Sequence, residues 1–215
     1  MTDQNVDVTY LNDWVHEFAR LINENAQLLS DLDAAVGDAD HGVNMNRGMT
    51  AVVAALDDAL PADPAALCKK VGMTLVSSVG GASGPLYGTL FLRMATPLKA
   101  DAAIDAATFA AALRAGVDGV VQRGRAEAGD KTMFDALAPA LDALDRALGA
   151  GTALPPALGE AAAAAEKGRD ATESMIAKKG RASYLGQRSV GHPDPGATSA
   201  AMLIQAAATV AGGRP

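Results

Sequence analysis

The clearest indication of fold class is residues 9–32, TYLNDWVHEFARLINENAQLLSDL. Apolar side chains recur there at steps of three and four residues, as on the buried face of an amphipathic helix. Similar spacing recurs along the chain, whereas β-branched runs that alternate with polar residues are nearly absent. Alanine, the best helix former, makes up roughly a fifth of all residues. The sequence therefore predicts an all-α protein.

Seven further helices follow from apolar spacing, capping residues and proline positions. There is no clear linker and no repeat of fixed period, so we expect a single helical domain over residues 1–215, with a core of about residues 9–211. In chain order the further helices are 45–56, a helix from Pro64 with Asp63 as its cap, one from Pro85, 108–123, one from Thr132 with Asp135 in a capping box, 155–178, and 198–211.

Composition excludes several classes of protein. The chain has 215 residues and a net charge of −7, and its pI of about 4.9 argues against a nucleic-acid binder. The single cysteine, Cys68, rules out an internal disulfide. The N-terminus lacks the features of a signal peptide, and no apolar run reaches the ~18 residues of a membrane helix. We expect a cytoplasmic protein without membrane segments.

Four polar, glycine-rich segments separate the predicted helices, at residues 32–48, 80–88, 124–132 and 180–198. They are longer than the usual connections of a helix bundle, and such loops are more often functional than structural. They follow the first, third, fifth and seventh helices. In an up-and-down bundle these connections lie at the same end, so the sequence predicts one site at that end.

The first segment holds an acidic turn, residues 33–42, DAAVGDADHG. Gly37 fits a left-handed helix end, and Asp38 and Asp40, two apart in an extended stretch, would face the same side as Asp33. Three close carboxylates repel one another unless a hard divalent cation binds them. The alternative is that Asp38 or Asp40 only caps the next helix, with Asp33 on a solvated face. An EF-hand is excluded because its glycine and glutamate positions hold other residues.

The second segment, residues 79–88, reads VGGASGPLYG. Consecutive glycines can aim backbone N–H groups at an anion, Ser83 adds a hydroxyl, and Pro85 opens a helix whose N-terminus favours negative charge. The alternative is a tight turn with a helix cap. Neither a Walker sequence nor a Rossmann fingerprint is present, so a nucleotide would bind on an unrelated helical scaffold.

The remaining two segments carry candidate ligands for phosphate and base. In residues 129–135, GDKTMFD, Lys131 is either a phosphate ligand or a solvated loop lysine, and Met133 either contacts a base or belongs to the core. Residues 180–196 contain Arg181 and Arg188, and either could clamp a phosphate. Thr198 is interpreted as the cap of the last helix.

Together these four motifs resemble the nucleotide-binding L subunit of dihydroxyacetone kinase, over about residues 9–211. One departure is Ala39, where the family often has glycine between the two aspartates. We expect alanine to be tolerated there unless the position needs a positive φ.

The resemblance implies a barrel of eight antiparallel helices with the nucleotide, ADP or ATP, at one end. It also implies two Mg²⁺ ions held by Asp33, Asp38 and Asp40. The implied ADP contacts are His41, Gly42, Val43, Asn44, Ala82, Ser83, Gly124, Met133, Arg181, Asp194, Pro195 and Gly196.

The resemblance further implies a phosphotransferase that acts only with a partner. Dihydroxyacetone would be bound covalently on a separate K subunit, and the phosphate would come from a phosphocarrier M subunit or from free ATP. The chain ends just after the last helix, so we expect a free-standing subunit, and a homodimer is compatible with it. The alternatives are a kinase subunit for another ketose such as erythrulose, a non-catalytic ADP-binding regulatory module, and a two-metal phosphatase.

Overall fold

The computed structural model describes residues 6–98 and 103–213, and these residues are mostly helical. The predicted domain limits, residues 1 and 215, lie outside the described residues. The predictions about a signal peptide and a free-standing subunit rest on terminal segments that lie partly outside them as well. Two short strands, Val6–Asp7 (β1) and Ala103–Ile104 (β2), pair antiparallel. The helices are α1 Val8–Glu24, α2 Ala26–Val36, α3 His41–Asp58, α4 Pro64–Ser78, α5 Ser83–Met94, α6 Ala106–Gly124, α7 Met133–Gly149, α8 Leu154–Ala171 and α9 Pro195–Gly213.

The helices close into a ring, which confirms the all-α prediction. From α3 to α9 each helix packs against the next, and α1 packs against both α3 and α9. Neighbours joined by a short connection, such as α3 and α4, α4 and α5, and α7 and α8, are antiparallel. α1 and α2 replace the single predicted first helix, since Asn25 interrupts it and its side-chain amide donates to the Leu21 carbonyl at 2.8 Å.

Two predicted helix starts are confirmed by their hydrogen bonds. The Asp63 carboxylate accepts from the Ala66 N–H at 2.8 Å, one residue before Pro64 opens α4. At α7, Thr132 and Asp135 form the predicted reciprocal capping box. Both arrangements satisfy first-turn N–H groups that have no partner within the helix.

Two other predicted helix ends are wrong. α8 stops at Ala171 instead of about residue 178, because the chain tightens into a 3-10 turn over Thr172–Ser174 and becomes extended at Met175. The Thr172 hydroxyl oxygen accepts from the Asp194 N–H at 2.9 Å. α9 begins at Pro195 instead of Thr198. Its cap is Asp194, whose carboxylate accepts from the Ala197 N–H at 2.7 Å, and Thr198 lies inside the first turn.

Several glycines assigned to loops lie inside helices. α5 already begins at Ser83, so Gly88 is helical and lies beside Gly72 of α4. A Cβ on Gly72 would lie 2.8 Å from the Gly88 carbonyl oxygen, and one on Gly88 would lie 2.9 Å from that of Gly72. These glycines therefore let α4 and α5 approach closely. The connection between the two helices is correspondingly only residues 79–82.

An aromatic cluster fills the ring between α1, α5, α6 and α9. The Trp14 ring lies 5.7 Å from both Phe91 and Phe109, and its indole N–H donates to the Leu203 carbonyl at 2.8 Å. Tyr87 is also buried and points its hydroxyl toward Ser199 of α9. The core therefore links α5 to α9 through the interior of the ring, and both helices begin at the same end. Among the described residues no helix is long and apolar enough to cross a membrane.

Candidate nucleotide and metal site

The four connections that the sequence placed at one end do meet around a single cavity. Its volume is about 420 Å³, and residues 37–40, 79–82, 125–132 and 172–194 all contribute to its wall. The connections α2–α3, α4–α5, α6–α7 and α8–α9 alternate with those at the far end, as an up-and-down order requires. Twelve of the predicted residues line this cavity: Asp33, Asp38, Asp40, His41, Ala82, Ser83, Gly124, Met133, Arg181, Asp194, Pro195 and Gly196.

The three predicted aspartates form a cluster at the cavity. Carboxylate oxygens of Asp33, Asp38 and Asp40 all lie within 4.8 Å of one another. Asp33 is buried at the end of α2, and its Oδ2 accepts from the N–H groups of Asp40 at 2.8 Å and His41 at 3.1 Å. The carboxylate therefore faces the positive N-terminus of α3, which stabilises its charge.

The backbone of the acidic turn differs from the prediction. Gly37 is not left-handed, since its φ is −145°. Glycine is required there for space, because a Cβ would come within bonding distance of Asp33 Oδ1. The left-handed residue is Ala39, with a φ of 63°. Asp38 and Asp40 therefore share a side because the chain turns between them, and the stretch is not extended.

His41 begins α3 and is held between two hydroxyl groups. Its Nδ1 lies 3.0 Å from Ser83 Oγ and its Nε2 lies 2.9 Å from Ser199 Oγ. The Tyr87 hydroxyl lies 2.7 Å from the same Ser199 oxygen. Burial lowers the pKa of His41, against the opposing influence of Asp33 and Asp40. This chain of hydrogen bonds ties the N-terminal turns of α3, α5 and α9 together.

One side of the cavity offers groups suited to an anion. Gly81 has a φ of 66°, and α5 starts two residues later with Ser83. Arg181 reaches the site from the α8–α9 connection, where its guanidinium lies 3.0 Å from Asp38 Oδ2. Free N–H groups at a helix start and an arginine are typical phosphate ligands.

Another part of the cavity wall is apolar. Leu86 of α5, Val120 of α6 and Met133 of α7 line it, together with Gly124 at the end of α6. A Cβ on Gly124 would lie 3.4 Å from Leu86, so glycine keeps this space open. Met133 is buried, 5% exposed, yet borders the cavity, so its two predicted roles are compatible. A flat heterocyclic base suits such a slot.

Lys131 fits neither of the two interpretations that its sequence position suggested. It is 1% exposed, and its ammonium donates to the carbonyls of Ser189 at 2.6 Å, His192 at 2.7 Å and Met175 at 3.3 Å. Sequence reasoning missed this role because the partners are backbone oxygens 44 to 61 residues away. Burial lowers the pKa of this lysine.

Asp194 is a second buried group whose pKa is shifted. Burial raises its pKa to about 7, and the hydrogen bond from Ala197 and the nearby charge of Lys131 only partly offset this. The carboxyl group caps α9, so it is positioned by the fold beside the cavity that it lines.

Comparison with known proteins assigns this chain to a family. Residues 35–209 match the DAK2 domain. The chain belongs to the DAK2 domain family. It is 43% identical over 203 residues to the ADP-binding subunit DhaL of the PEP-dependent dihydroxyacetone kinase of Escherichia coli (strain K12), covering 94% of this chain and 97% of that subunit. It is 45% identical over 193 residues to the DhaL subunit of PEP-dependent dihydroxyacetone kinase 1 of Listeria innocua, covering 90% and 91%.

A solved structure shares the architecture. The crystal structure of the dihydroxyacetone kinase from C. freundii in complex with AMP-PNP and Mg²⁺ matches with a TM-score of 0.73 and 28% identity. The match covers 94% of this chain and 34% of that one, so this DAK2 domain spans about a third of that kinase.

Three residues predicted to contact ADP lie outside the cavity wall of this DAK2 domain. A Cβ on Gly42 would overlap the Ala26 carbonyl, so Gly42 serves the contact between α3 and α2. Val43 is 60% exposed. The Asn44 side-chain oxygen accepts from Arg47 at 2.8 Å and lies beside Gly80. Asn44 therefore contacts the α4–α5 connection without lining the cavity.

Proposed function

We propose that this chain is the ADP-binding subunit of a dihydroxyacetone kinase of the PEP-dependent type, acting in the cytoplasm. It holds a magnesium nucleotide and passes a phosphoryl group to dihydroxyacetone bound on a separate K-type subunit. The observation that carries the proposal is the cluster of Asp33, Asp38 and Asp40 at the wall of a cavity formed by four helix connections. The DhaL relatives named above support it, because they share almost the full length.

The donor set fits magnesium. Three carboxylates within 4.8 Å offer the hard oxygen ligands that Mg²⁺ takes, usually together with phosphate oxygens and water. Three aspartates and ADP carry about six negative charges, and two Mg²⁺ ions would supply four positive ones. We therefore propose two ions, and we expect metal and nucleotide to bind together.

The nucleotide is proposed to lie across the cavity. Its phosphates would face the N-terminal turns of α3 and α5 and the Arg181 guanidinium, and its base would occupy the apolar slot of Leu86, Val120 and Met133. His41 would act as a positioning residue, since both of its ring nitrogens are already engaged by serines. Pro195 and Gly196 would border the ligand at the start of α9.

Phosphoryl transfer needs positioning and charge neutralisation more than covalent chemistry from the protein. Bound Mg²⁺ would neutralise the phosphate charge. The chain's own residues fix the acidic cluster, exclude water from the apolar slot and orient the phosphate toward the open mouth. There the hydroxyl of the partner-bound ketose would attack the terminal phosphorus, and ADP would leave. We propose that a phosphocarrier subunit then rephosphorylates the bound ADP.

The test combines binding and turnover. The purified chain, mixed with a K-type partner, Mg-ATP and dihydroxyacetone, should give dihydroxyacetone phosphate. The Asp40→Asn variant should bind Mg-ADP at least about tenfold more weakly, with unchanged helicity by circular dichroism. Asp58→Asn is the matched control, because Asp58 is an exposed acid at the opposite end of the same helix.

Three results would contradict the proposal. They are absence of ADP and ATP binding in Mg²⁺, wild-type Mg-ADP affinity in Asp40→Asn, and equal binding in excess EDTA. A panel of ketoses with the native partner identifies the substrate, and preference for erythrulose over dihydroxyacetone would correct the substrate assignment. ADP retained through purification is the expected signature of the phosphocarrier-dependent type, whereas a nucleotide that exchanges freely would indicate ATP as the donor.

A further inference from the structure

Lys131 is the one buried cation in the described part of the chain that the proposed phosphate chemistry does not use. Although Lys131 borders the cavity, all three of its ammonium donors are taken by carbonyl oxygens. Its backbone is also left-handed, with a φ of 61°, a conformation that costs energy in any residue with a Cβ. The inward orientation of the Lys131 side chain therefore requires both a strained backbone and the burial of a charge.

The three carbonyls belong to the two ends of one segment. We call residues 175–192 the arginine loop. Its first residue, Met175, and its last residue, His192, are both held by Lys131, as is Ser189. Two further bonds join the ends: the Ala177 N–H donates to Ser189 Oγ at 2.9 Å, and the Gly191 N–H donates to the Glu173 carbonyl at 2.8 Å. The loop is therefore closed at its base, like an Ω-loop.

Few other contacts hold the arginine loop: the Lys178 N–H donates to the Asp130 carbonyl at 3.0 Å, the Lys178 ammonium lies 3.7 Å from Asp130 Oδ1, and Arg181 pairs with Asp38. The loop contains only a short 3-10 turn, Arg181–Ser189, which is itself interrupted at Gly186. Its apolar contact with the helices is a small separate cluster of Val36 with Ala177 and Ala182. Segments with few buried apolar contacts open readily, so the bonds at the base carry much of the order of this loop.

The tip of the arginine loop reaches the metal cluster. Gly180, Arg181 and Ala182 line the cavity, and the Arg181 guanidinium lies 3.0 Å from Asp38. The Arg181 side chain is 70% exposed, so its position depends on the backbone of the loop and not on packing around it. Whatever fixes the base of the loop therefore fixes where Arg181 can act.

We propose that Lys131 is a positioning residue whose ammonium closes the base of the arginine loop and so holds Arg181 over the phosphate end of the site. The inference rests on the proposed nucleotide site for its functional consequence, but the closure of the loop is independent of any ligand. Lys131 touches neither phosphate nor metal in this role; it acts through Arg181.

The test uses Lys131→Met, which keeps a long apolar stem and removes the ammonium. The matched control is Lys167→Met, because Lys167 is an exposed lysine of α8 that lies outside the loop. Hydrogen exchange of the full chain without nucleotide should show amides of residues 175–192 exchanging at least about tenfold faster in Lys131→Met, with α1 and α5 unchanged. The control should match the wild type.

Coupling to Arg181 is measured by a double-mutant cycle on the Mg-ADP dissociation constant. We expect Lys131→Met and Arg181→Met each to raise this dissociation constant by about tenfold. The dissociation constant of the double variant should exceed that of the single variant with the weaker binding by less than about threefold. A merely structural role of Lys131 gives multiplying effects instead. Faster dissociation of Mg-ADP should account for most of the loss.

Unchanged exchange in residues 175–192, or multiplying losses in the cycle, would overturn the inference. If the wild type binds no Mg-ADP, the proposed function fails while the exchange result still tests loop closure. If Lys131→Met does not fold, Lys131→Gln takes its place, because a neutral amide offers only two hydrogens to the three carbonyls that the ammonium holds. It should loosen residues 175–192 in the same assay, and wild-type exchange there would count against the inference.

Discussion

Replacing Ala39 with glycine should stabilise the protein. Ala39 lies between two aspartates of the metal cluster and has a φ of 63°, in the left-handed region. It is exposed, so the substitution removes no packing. The family pattern, which often has glycine at this position, led us to expect tolerance of alanine only if φ were negative. The structure shows that it is positive, so alanine is strained here.

The size of the effect follows from two opposing terms. An L-residue with a Cβ costs roughly 1–2 kcal/mol in the left-handed conformation. Glycine relieves this cost but gives the unfolded chain more freedom, which costs about 0.4–1 kcal/mol. The free energy of unfolding should therefore rise by about 0.5–1 kcal/mol. For a chain of this length that corresponds to an increase in Tm of about 1–4 °C.

The assay is thermal and urea unfolding in EDTA, so that ligand binding does not contribute. The matched control is Ala34→Gly, an exposed alanine five residues earlier in helical conformation. Glycine in a helix destabilises by roughly 0.5–1 kcal/mol, so the control should move in the opposite direction. Ala39→Asn should fall between alanine and glycine, since asparagine tolerates this region. A lower Tm for Ala39→Gly than for the wild type would refute the reasoning.

Two other predictions concern packing and pH. Gly72→Ala should lower the free energy of unfolding by about 1–3 kcal/mol, because its Cβ would crowd the Gly88 carbonyl at 2.8 Å. Urea unfolding measures this change. The control is Gly159→Ala, which should be neutral or stabilising because its Cβ would meet nothing within 4 Å. The pKa of Asp194 is raised to about 7 in the folded chain. The native state therefore binds more protons than the unfolded state between about pH 4 and pH 7. As the pH rises through this window, the free energy of unfolding should fall. In metal-free buffer Asp194→Asn should flatten this slope, and an unchanged slope would contradict the burial of a protonated carboxyl group.

The position of the site was predictable because it depends on helix order alone. Alternate connections of an up-and-down bundle share an end, so four glycine-rich segments had to converge whatever their detailed structure. The aspartate cluster was predictable for a related reason. Asp38 and Asp40 are close to Asp33 in sequence, and only a short turn separates the end of α2 from the start of α3.

The lengths of the connections were not predictable, because glycine has two different uses in this chain. Gly81 takes a positive φ in a connection, whereas Gly88 and Gly42 allow close approach of helices and have helical backbones. Local sequence does not distinguish these uses, so the predicted first and second segments extended into α3 and α5. The role of Lys131 was hidden for a different reason. Its partners are backbone carbonyls distant in sequence, and any residue type could supply them.

The capping interpretation of the acidic turn is wrong in its residues. Asp40 precedes α3 without a side-chain capping bond, and Asp33, expected on a solvated face, is buried and takes the capping role. Asp33 Oδ2 accepts from two backbone N–H groups at the start of α3, as a capping residue would. Its other oxygen, Oδ1, lies beside Gly37, where any side chain would displace it. Oδ2 therefore fixes the carboxylate and stabilises its charge through the helix N-terminus, and an oxygen of the same carboxylate belongs to the cluster. Capping of α3 thus gives the cluster a fixed member, around which Asp38 and Asp40 are arranged by the turn at Ala39.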